Sequence, residues 1–165
     1  MPVINRGVQP AVVSGGNFQA ISLTGVTFSA GNWNGDTPGN LGAIADGNLA
    51  TATTWGRTLG GGNRGWIQAD LGAFYSRLYI EIKIGIKMEA SWGDGNADWF
   101  CETSELANLF VPTWETKQFK PTALERILYL NQFVTCRYLR LGCSDNGGGQ
   151  GMLQWYSLRA WQLNL

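Results

Sequence analysis

Residues 77–88, RLYIEIKIGIKM, alternate between apolar and polar side chains over twelve positions. Successive side chains of a β-strand point to opposite faces, whereas a helix would mix the two sets on every face. Such a long period of two therefore predicts a strand that buries one face and exposes the other. The expected core-facing residues are Leu78, Ile80, Ile82, Ile84, Ile86 and Met88.

Several other stretches have the apolar, β-branched and aromatic character of strands. They are FQAISLTGVTFS (18–29, with a possible bulge at Gly25), GWIQADLG (65–72), DWFCETS (98–104), VTCRYLRLGC (134–143) and SLRAWQL (157–163). One short helix is predicted within PTALERILYLNQF (121–133), where Thr122 and Glu125 have the spacing of a capping box. The pattern predicts an all-β, antiparallel protein with at most one short helix.

Composition excludes several classes of function. The 165 residues carry zero formal net charge without clusters of Lys or Arg, so no nucleic-acid partner is predicted. No apolar run is long enough to insert into a membrane. Histidine is absent, which removes the commonest general base and transition-metal ligand, and no catalytic residue is predicted. No signal peptide is recognised in residues 1–16, which we interpret as an N-terminal arm before a single domain at 17–165.

The loop SWGDGNADW (91–99) combines a tryptophan with polar side chains. An exposed indole can stack on the C–H face of a sugar while carboxylates and amides bind its hydroxyl groups. The candidate ligand-binding residues here are Trp92, Asp94, Asn96 and Asp98. A rigid turn with Trp92 packed against the protein is the alternative. Tryptophans in strand-like stretches are expected in the core, namely Trp55, Trp66, Trp114 and Trp161.

Three motifs follow one another in a characteristic order: ADGNLATATTW (45–55), GWIQADLG (65–72) and CRYLRLGC (136–143). Over roughly residues 17–163, this order resembles the discoidin, or coagulation-factor C-type, family of galactose-binding-like domains. The resemblance implies a jelly-roll β-sandwich whose loops at one end bind ligands, often sugars. It also implies that the loops carrying Trp33, Arg57, Asn63 and Arg64 lie beside the Trp92 loop, which makes these four residues further candidates.

The resemblance also implies a structural calcium ion in the loop that matches residues 43–51. The ligands carried over are the Asp46 carboxylate, main-chain oxygens near Ala43 and Asn48, and the hydroxyl and carbonyl of Thr51. Ser157 stands where the family has a glutamate ligand, which removes a charge and two oxygens. An ordinary turn built on Asp46-Gly-Asn is the alternative. The family's galactose-binding arginine before an Asn-Gly pair is also missing, since Asn96 is followed by Ala97.

These observations predict a non-catalytic carbohydrate-binding module that recognises surface glycans through its end loops. The alternative is a structural or assembly protein whose jelly roll docks onto other subunits. Because no secretion signal is recognised, a glycan-binding chain of this kind would suit a virus particle, as a tail, fibre, baseplate or capsid-decoration component. Outside a virion, a cytoplasmic location is expected.

Overall fold

The computed structural model describes residues 17–59, 64–89, 97–107, 109–119, 126–145 and 150–164, which form eight β-strands and one short 3-10 helix. The strands are β1 (Asn17–Ala20), β2 (Thr27–Gly31), β3 (Gly56–Arg57), β4 (Arg64–Glu89), β5 (Ala97–Ser104), β6 (Val111–Phe119), β7 (Arg126–Asp145) and β8 (Gln150–Asn164). The 3-10 helix spans Leu41–Ala45. The predicted all-β class is confirmed. The proposed N-terminal arm, 1–16, lies outside the described residues.

All strand pairs are antiparallel, and two long strands organise the sheet. The strand order is β1-β8-β4-β7-β5-β6, with β2 paired to β4 and β3 paired to β8. The first part of β4 pairs with β2, whereas its second part pairs with β8. β7 follows β4 along both parts, and their register shifts between Asp70 and Leu78. Residues from both parts of β4 face the same core, because the sheet folds back on itself at this irregularity, which we call the turn-over of the sheet. β4 and β7 therefore contribute to both layers of a jelly-roll sandwich.

The two layers enclose one hydrophobic core. It contains Ile67 and Ala69 from the first part of β4 together with the alternating apolar residues of the second part. Leu78, Ile80, Ile82, Ile84 and Ile86 are each at most 2% exposed, which confirms the inward face predicted from the sequence. The side chain of Met88 lies outside the described part of the structure. Burial of this continuous apolar face is the main force that holds β4 in place.

Two predicted elements were wrong in detail. Residues 18–29 form two strands, because Gly25 adopts a φ of 90° and the Val26 N–H donates to the Leu23 carbonyl in a turn. The helix predicted at 121–133 is strand from Arg126 onward. Alternate residues of that segment pack on the core, and pairing with β4 outweighs the local helix signal. The capping-box residues 122 and 125 lie outside the described residues.

The core tryptophans differ from those expected. Trp99 and Trp155 are fully buried, whereas Trp55, Trp66 and Trp161 are half-buried. Trp66 lies over Gly31 of the neighbouring strand, where an added Cβ would come within 2.4 Å of the indole. A glycine beside it thus lets Trp66 lie flat on the outer face. The side chain of Trp114 is outside the described set.

The turn-over of the sheet is spanned by an ion pair. Asp70 accepts hydrogen bonds from Arg137 Nε at 2.9 Å and Nη2 at 3.0 Å. The hydrogen bond from Arg137 holds the pKa of Asp70 below its ordinary value. A carboxylate with a lowered folded-state pKa stabilises the fold above its unfolded pKa, and this stabilisation is lost as the pH falls through the folded value.

We therefore expect wild type to be more stable than Asp70→Asn at neutral pH, by no more than about 1 kcal/mol because both partners are partly exposed. The difference should shrink as the pH falls below about 4. Thermal melts over an acid pH series measure it. Arg137→Gln should lose the same pH-dependent increment, and a variant that kept the wild-type acid profile would contradict this assignment.

Candidate functional site

One end of the sandwich collects the starts of several strands. Arg64, at the start of β4, lies opposite Ser144 of β7, and Ser144 lies opposite Asp98 of β5. The other layer reaches the same end at Gly151 of β8, where an added Cβ would lie 3.0 Å from the Cβ of Ala97 in β5. β4, β5 and β8 therefore begin at this end, and β7 ends there. We call it the loop end of the sandwich.

Trp33 anchors the loop end from within. Its indole lies across Gly56 and Gly65, and an added Cβ on Gly65 would come within 2.2 Å of the ring. The Trp33 Nε1–H donates to the Trp66 carbonyl at 2.9 Å, and the ring packs against the core. Glycines adjacent to Arg57 and Arg64 thus let Trp33 fix the backbone from which both arginines project. Its predicted ligand contact stays a prediction.

Arg57 presents a charged pair at the loop end. Its Nε lies 3.1 Å from Asp36 Oδ2, and its backbone N–H donates to the Asp36 carbonyl at 2.8 Å. The Asp36 side chain is 63% exposed. A carboxylate and a guanidinium held together in this way offer both acceptors and donors to an incoming polar ligand.

Arg64 is held in a defined orientation although its side chain is half exposed. Its guanidinium lies 3.9 Å from the centroid of the Phe100 ring, and its Nη2 forms a salt bridge with Glu102 Oε1. Glu102 is nearly buried, and Phe100 in turn lies over Gly142. The buried carboxylate and the ring orient the guanidinium before any ligand arrives.

A second arginine extends this cluster along the outer face. The guanidinium of Arg140 lies 4.2 Å from the Trp66 ring centroid and 3.7 Å from that of Phe110. It donates to Gln68 Oε1 at 2.7 Å, and desolvation by burial lowers the pKa of Arg140. Arg140 therefore packs against aromatic rings as a largely structural group.

The structure brings four of the predicted ligand residues to the loop end: Trp33, Arg57, Arg64 and Asp98. Asp98 is largely buried, with 9% exposure, so it contributes to the framework more than to the surface. The other four, Asn63, Trp92, Asp94 and Asn96, lie outside the described residues and stay predictions.

Sequence reasoning missed Phe100 and Glu102, which position Arg64. All eight residues of β5 are buried, although alternate ones face away from the core. Their burial comes from side chains of neighbouring strands, which the local sequence does not reveal. The signal available was Glu102 directly after the apolar run Trp99–Cys101, because a buried carboxylate requires a cationic partner.

The loop matching the implied calcium site is built on the 3-10 helix and the turn after it. Asp46 Oδ1 accepts a hydrogen bond from the Asn48 N–H at 2.8 Å, and Oδ2 accepts one from the Thr51 hydroxyl. The Thr51 hydrogen bond holds the pKa of Asp46 below its ordinary value. Asp46, Asn48 and Thr51 thus lie together as predicted, with Gly47 at a φ of 76° in the turn. Ala43 is buried within the 3-10 helix.

The oxygen ligands that this loop offers do not fit the calcium site that the resemblance implies. Ser157 lies opposite Lys83 in the β4–β8 ladder, and the Lys83 ammonium donates to the Leu49 carbonyl of this loop at 2.6 Å. Calcium takes six to eight oxygen ligands, and the implied site supplies two carboxylates, whereas this loop has one carboxylate and an ammonium hydrogen-bonded to one of its carbonyls. Across the described residues, no three His, Cys, Asp or Glu side chains gather into a metal-binding group.

At the opposite end, an apolar groove of about 540 Å³ opens beyond the last residues of β5. Its lining includes Leu106, Leu109, Val111 and Phe133, which are each more than half exposed. Exposed apolar side chains that lie together are typical of contact surfaces.

Among the described residues, no helix has the length and apolar character needed to cross a bilayer.

Solved structures of family 32 carbohydrate-binding modules and of an F5/8 type C domain resemble this chain over most of its length, in agreement with the resemblance seen in its motifs. A family 32 carbohydrate-binding module from Clostridium perfringens, solved with galactose, covers 88% of this chain and all of its own, with a TM-score of 0.49 and 14% identity. Another family 32 module, from a Clostridium perfringens family 31 glycoside hydrolase, covers 87% of this chain and 94% of its own (TM-score 0.48, 12% identity). An F5/8 type C domain from Bacteroides fragilis covers 90% and 99% (TM-score 0.43, 15% identity). No family model matches the chain, and no curated protein matches it.

Proposed function

We propose that this protein is a non-catalytic carbohydrate-binding module that recognises surface glycans through the loop end. The observation that carries the proposal is the Trp33 indole, which lies against both Gly56 and Gly65 and so places the neighbouring Arg57 and Arg64 at the loop end. Arg57 also has Asp36 beside it, and the family resemblance implies a sugar site at this end. The motif order indicates a sugar as the class of ligand, and the charged side chains provide hydrogen-bond donors and acceptors for its hydroxyl groups.

The chemistry suits a polyhydroxylated ligand. Sugar hydroxyl groups both donate and accept hydrogen bonds, and the guanidinium groups of Arg57 and Arg64 can donate while the Asp36 carboxylate accepts. Phe100 and Glu102 already restrict Arg64, so little side-chain entropy remains to be lost on binding. Trp92, predicted on the connection between β4 and β5, would add a stacking face for the sugar ring.

A glycan array followed by calorimetric titration tests the proposal, with galactose as the first probe because a similar structure was solved with it. We expect Arg64→Ala to weaken binding by about 1–3 kcal/mol, as for loss of an oriented charged donor. Trp92→Ala should weaken binding by a similar amount, roughly 1–3 kcal/mol, with little change in melting temperature.

Arg137→Ala is the matched control. It also removes an arginine that is hydrogen-bonded to a carboxylate, but at the turn-over of the sheet and not at the loop end. Its affinity for the glycan should equal that of wild type. A wild-type protein that binds no glycan on the array, or equal affinity loss in both arginine variants, would contradict the proposal.

A second candidate function is favoured by the apolar groove at the opposite end. An assembly protein, for example a virion tail or decoration component, would dock a partner subunit there and bury Leu109 and Val111. Light scattering of the complex with the purified neighbouring subunit would then depend on the groove. Leu109→Glu should abolish that complex and leave glycan affinity unchanged, whereas the glycan-binding proposal expects Arg64→Ala to do the reverse.

A further inference from the structure

Lys83 connects the Asp46 loop to the sheet. It lies on the outward face of β4, and its ammonium donates to the Leu49 carbonyl at 2.6 Å. The same ammonium lies 4.4 Å from the centroid of the Tyr156 ring. One side chain therefore bridges the loop at 46–51, the middle of β4 and a ring on β8.

The loop's own hydrogen bonds already engage the oxygens that calcium would need. Both carboxylate oxygens of Asp46 accept bonds from within the loop. The Asn48 carbonyl accepts from the Thr51 N–H at 3.2 Å, and it also lies 2.9 Å from the Thr51 hydroxyl oxygen, whose single proton it shares with Asp46 Oδ2. The Asn48 side-chain oxygen accepts from the Ala50 N–H at 3.0 Å. The turn is closed by its own donors, without a further cation.

The charges around the loop also argue against a bound calcium ion. Ser157 lies opposite Lys83 in the ladder, so the position that would have carried an anionic ligand is neutral and faces a cation instead. A dication placed beside the Leu49 carbonyl would be repelled by the ammonium and would meet only one carboxylate. The Lys83 ammonium already places a positive charge beside the loop through its hydrogen bond to the Leu49 carbonyl.

We propose that the Lys83 ammonium ties the Asp46 loop to β4 in place of a structural calcium ion, so that the fold is independent of calcium. The inference does not rest on sugar binding, because Lys83 and the Asp46 loop are separate from the residues at the loop end that would contact a glycan.

The first experiment is a thermal melt of wild type in millimolar calcium and in excess EGTA. The melting temperature should be the same in both buffers. An increase of several degrees in calcium would overturn the proposal, because an ion that binds only the folded state must raise its stability.

The second experiment compares Lys83→Gln with Lys87→Gln by amide hydrogen exchange. Lys87 is the matched control, since its ammonium lies over the Trp55 ring at 4.4 Å on the same face of β4. In Lys83→Gln, the amides of Ala50 and Thr51 should exchange several-fold faster than in wild type, while Lys87→Gln keeps wild-type exchange in this loop. Unchanged exchange in Lys83→Gln, or equal acceleration in both variants, would overturn the assignment.

Discussion

Ile82→Asp is expected to abolish the folded state. Ile82 is 2% exposed, and it lies between Leu130 of β7 and Leu158 of β8 in the ladder. A carboxylate at this position would lie among the apolar side chains of the core, and none of the described core residues is a cation. An unpaired buried charge costs several kcal/mol, which is comparable to the roughly 5–15 kcal/mol that holds a typical domain together. Circular dichroism should show loss of the cooperative thermal transition.

Tyr129→Asp provides the control for this prediction. Tyr129 is 64% exposed and lies directly opposite Lys83 on the outward face of the neighbouring strand. The same new carboxylate would there remain in water beside a cation, so the melting temperature should stay close to that of wild type. A folded Ile82→Asp protein with a normal transition would show that the inward face of β4 is not the core.

Trp155→Ala should cause the next largest loss, about 3–5 kcal/mol of unfolding free energy, as for other truncations of a buried aromatic residue. Trp155 is fully buried, packs edge-on against Phe28, and donates its Nε1–H to the Ser157 carbonyl at 2.9 Å. Its backbone also exchanges hydrogen bonds with Thr53, so the side chain supports the segment after the Asp46 loop. Urea denaturation measures the loss.

Trp161→Ala is the matched comparison on the same strand. Trp161 is half-buried on the outer face, where its ring lies 5.9 Å from that of Tyr79. Truncation there leaves a shallow surface depression and no closed cavity, so the loss should be clearly smaller than for Trp155. A loss at Trp161 as large as that at Trp155 would contradict the assignment of Trp155 to the core and Trp161 to the outer face of β8.

The apolar–polar alternation predicted β4 correctly because local backbone preference and the burial pattern both favour a strand there. The isoleucines are β-branched, which favours extended backbone, and their period of two matches a sheet that buries one face. For residues 126–133 local backbone preference and the burial pattern conflict. The local sequence RILYLNQF favours a helix, yet Leu128 and Leu130 pack on the core in strand geometry. Long-range pairing with β4 decided that segment, and nothing within the segment itself indicates the pairing.

In the candidate site, too, the sequence predicted some features and the tertiary structure decided others. The family resemblance implied that the loops carrying Arg57 and Arg64 lie at one end of the sandwich, and both residues do lie there. The groups that orient Arg64 come from β5, more than thirty residues away in sequence, through a register that only the assembled sheet defines. Their contribution could not be read from spacing along the chain.

The sequence by itself determined the class of fold, the inward face of β4 and the turn at Asp46, because periodicity and turn chemistry act between near neighbours in the chain. The tertiary structure alone decided which tryptophans are core, which carboxylate orients Arg64 and which cation reaches Leu49. Those outcomes depend on which strands lie side by side and in which register. A change of one residue in that register would move each side chain to the opposite face of the sheet.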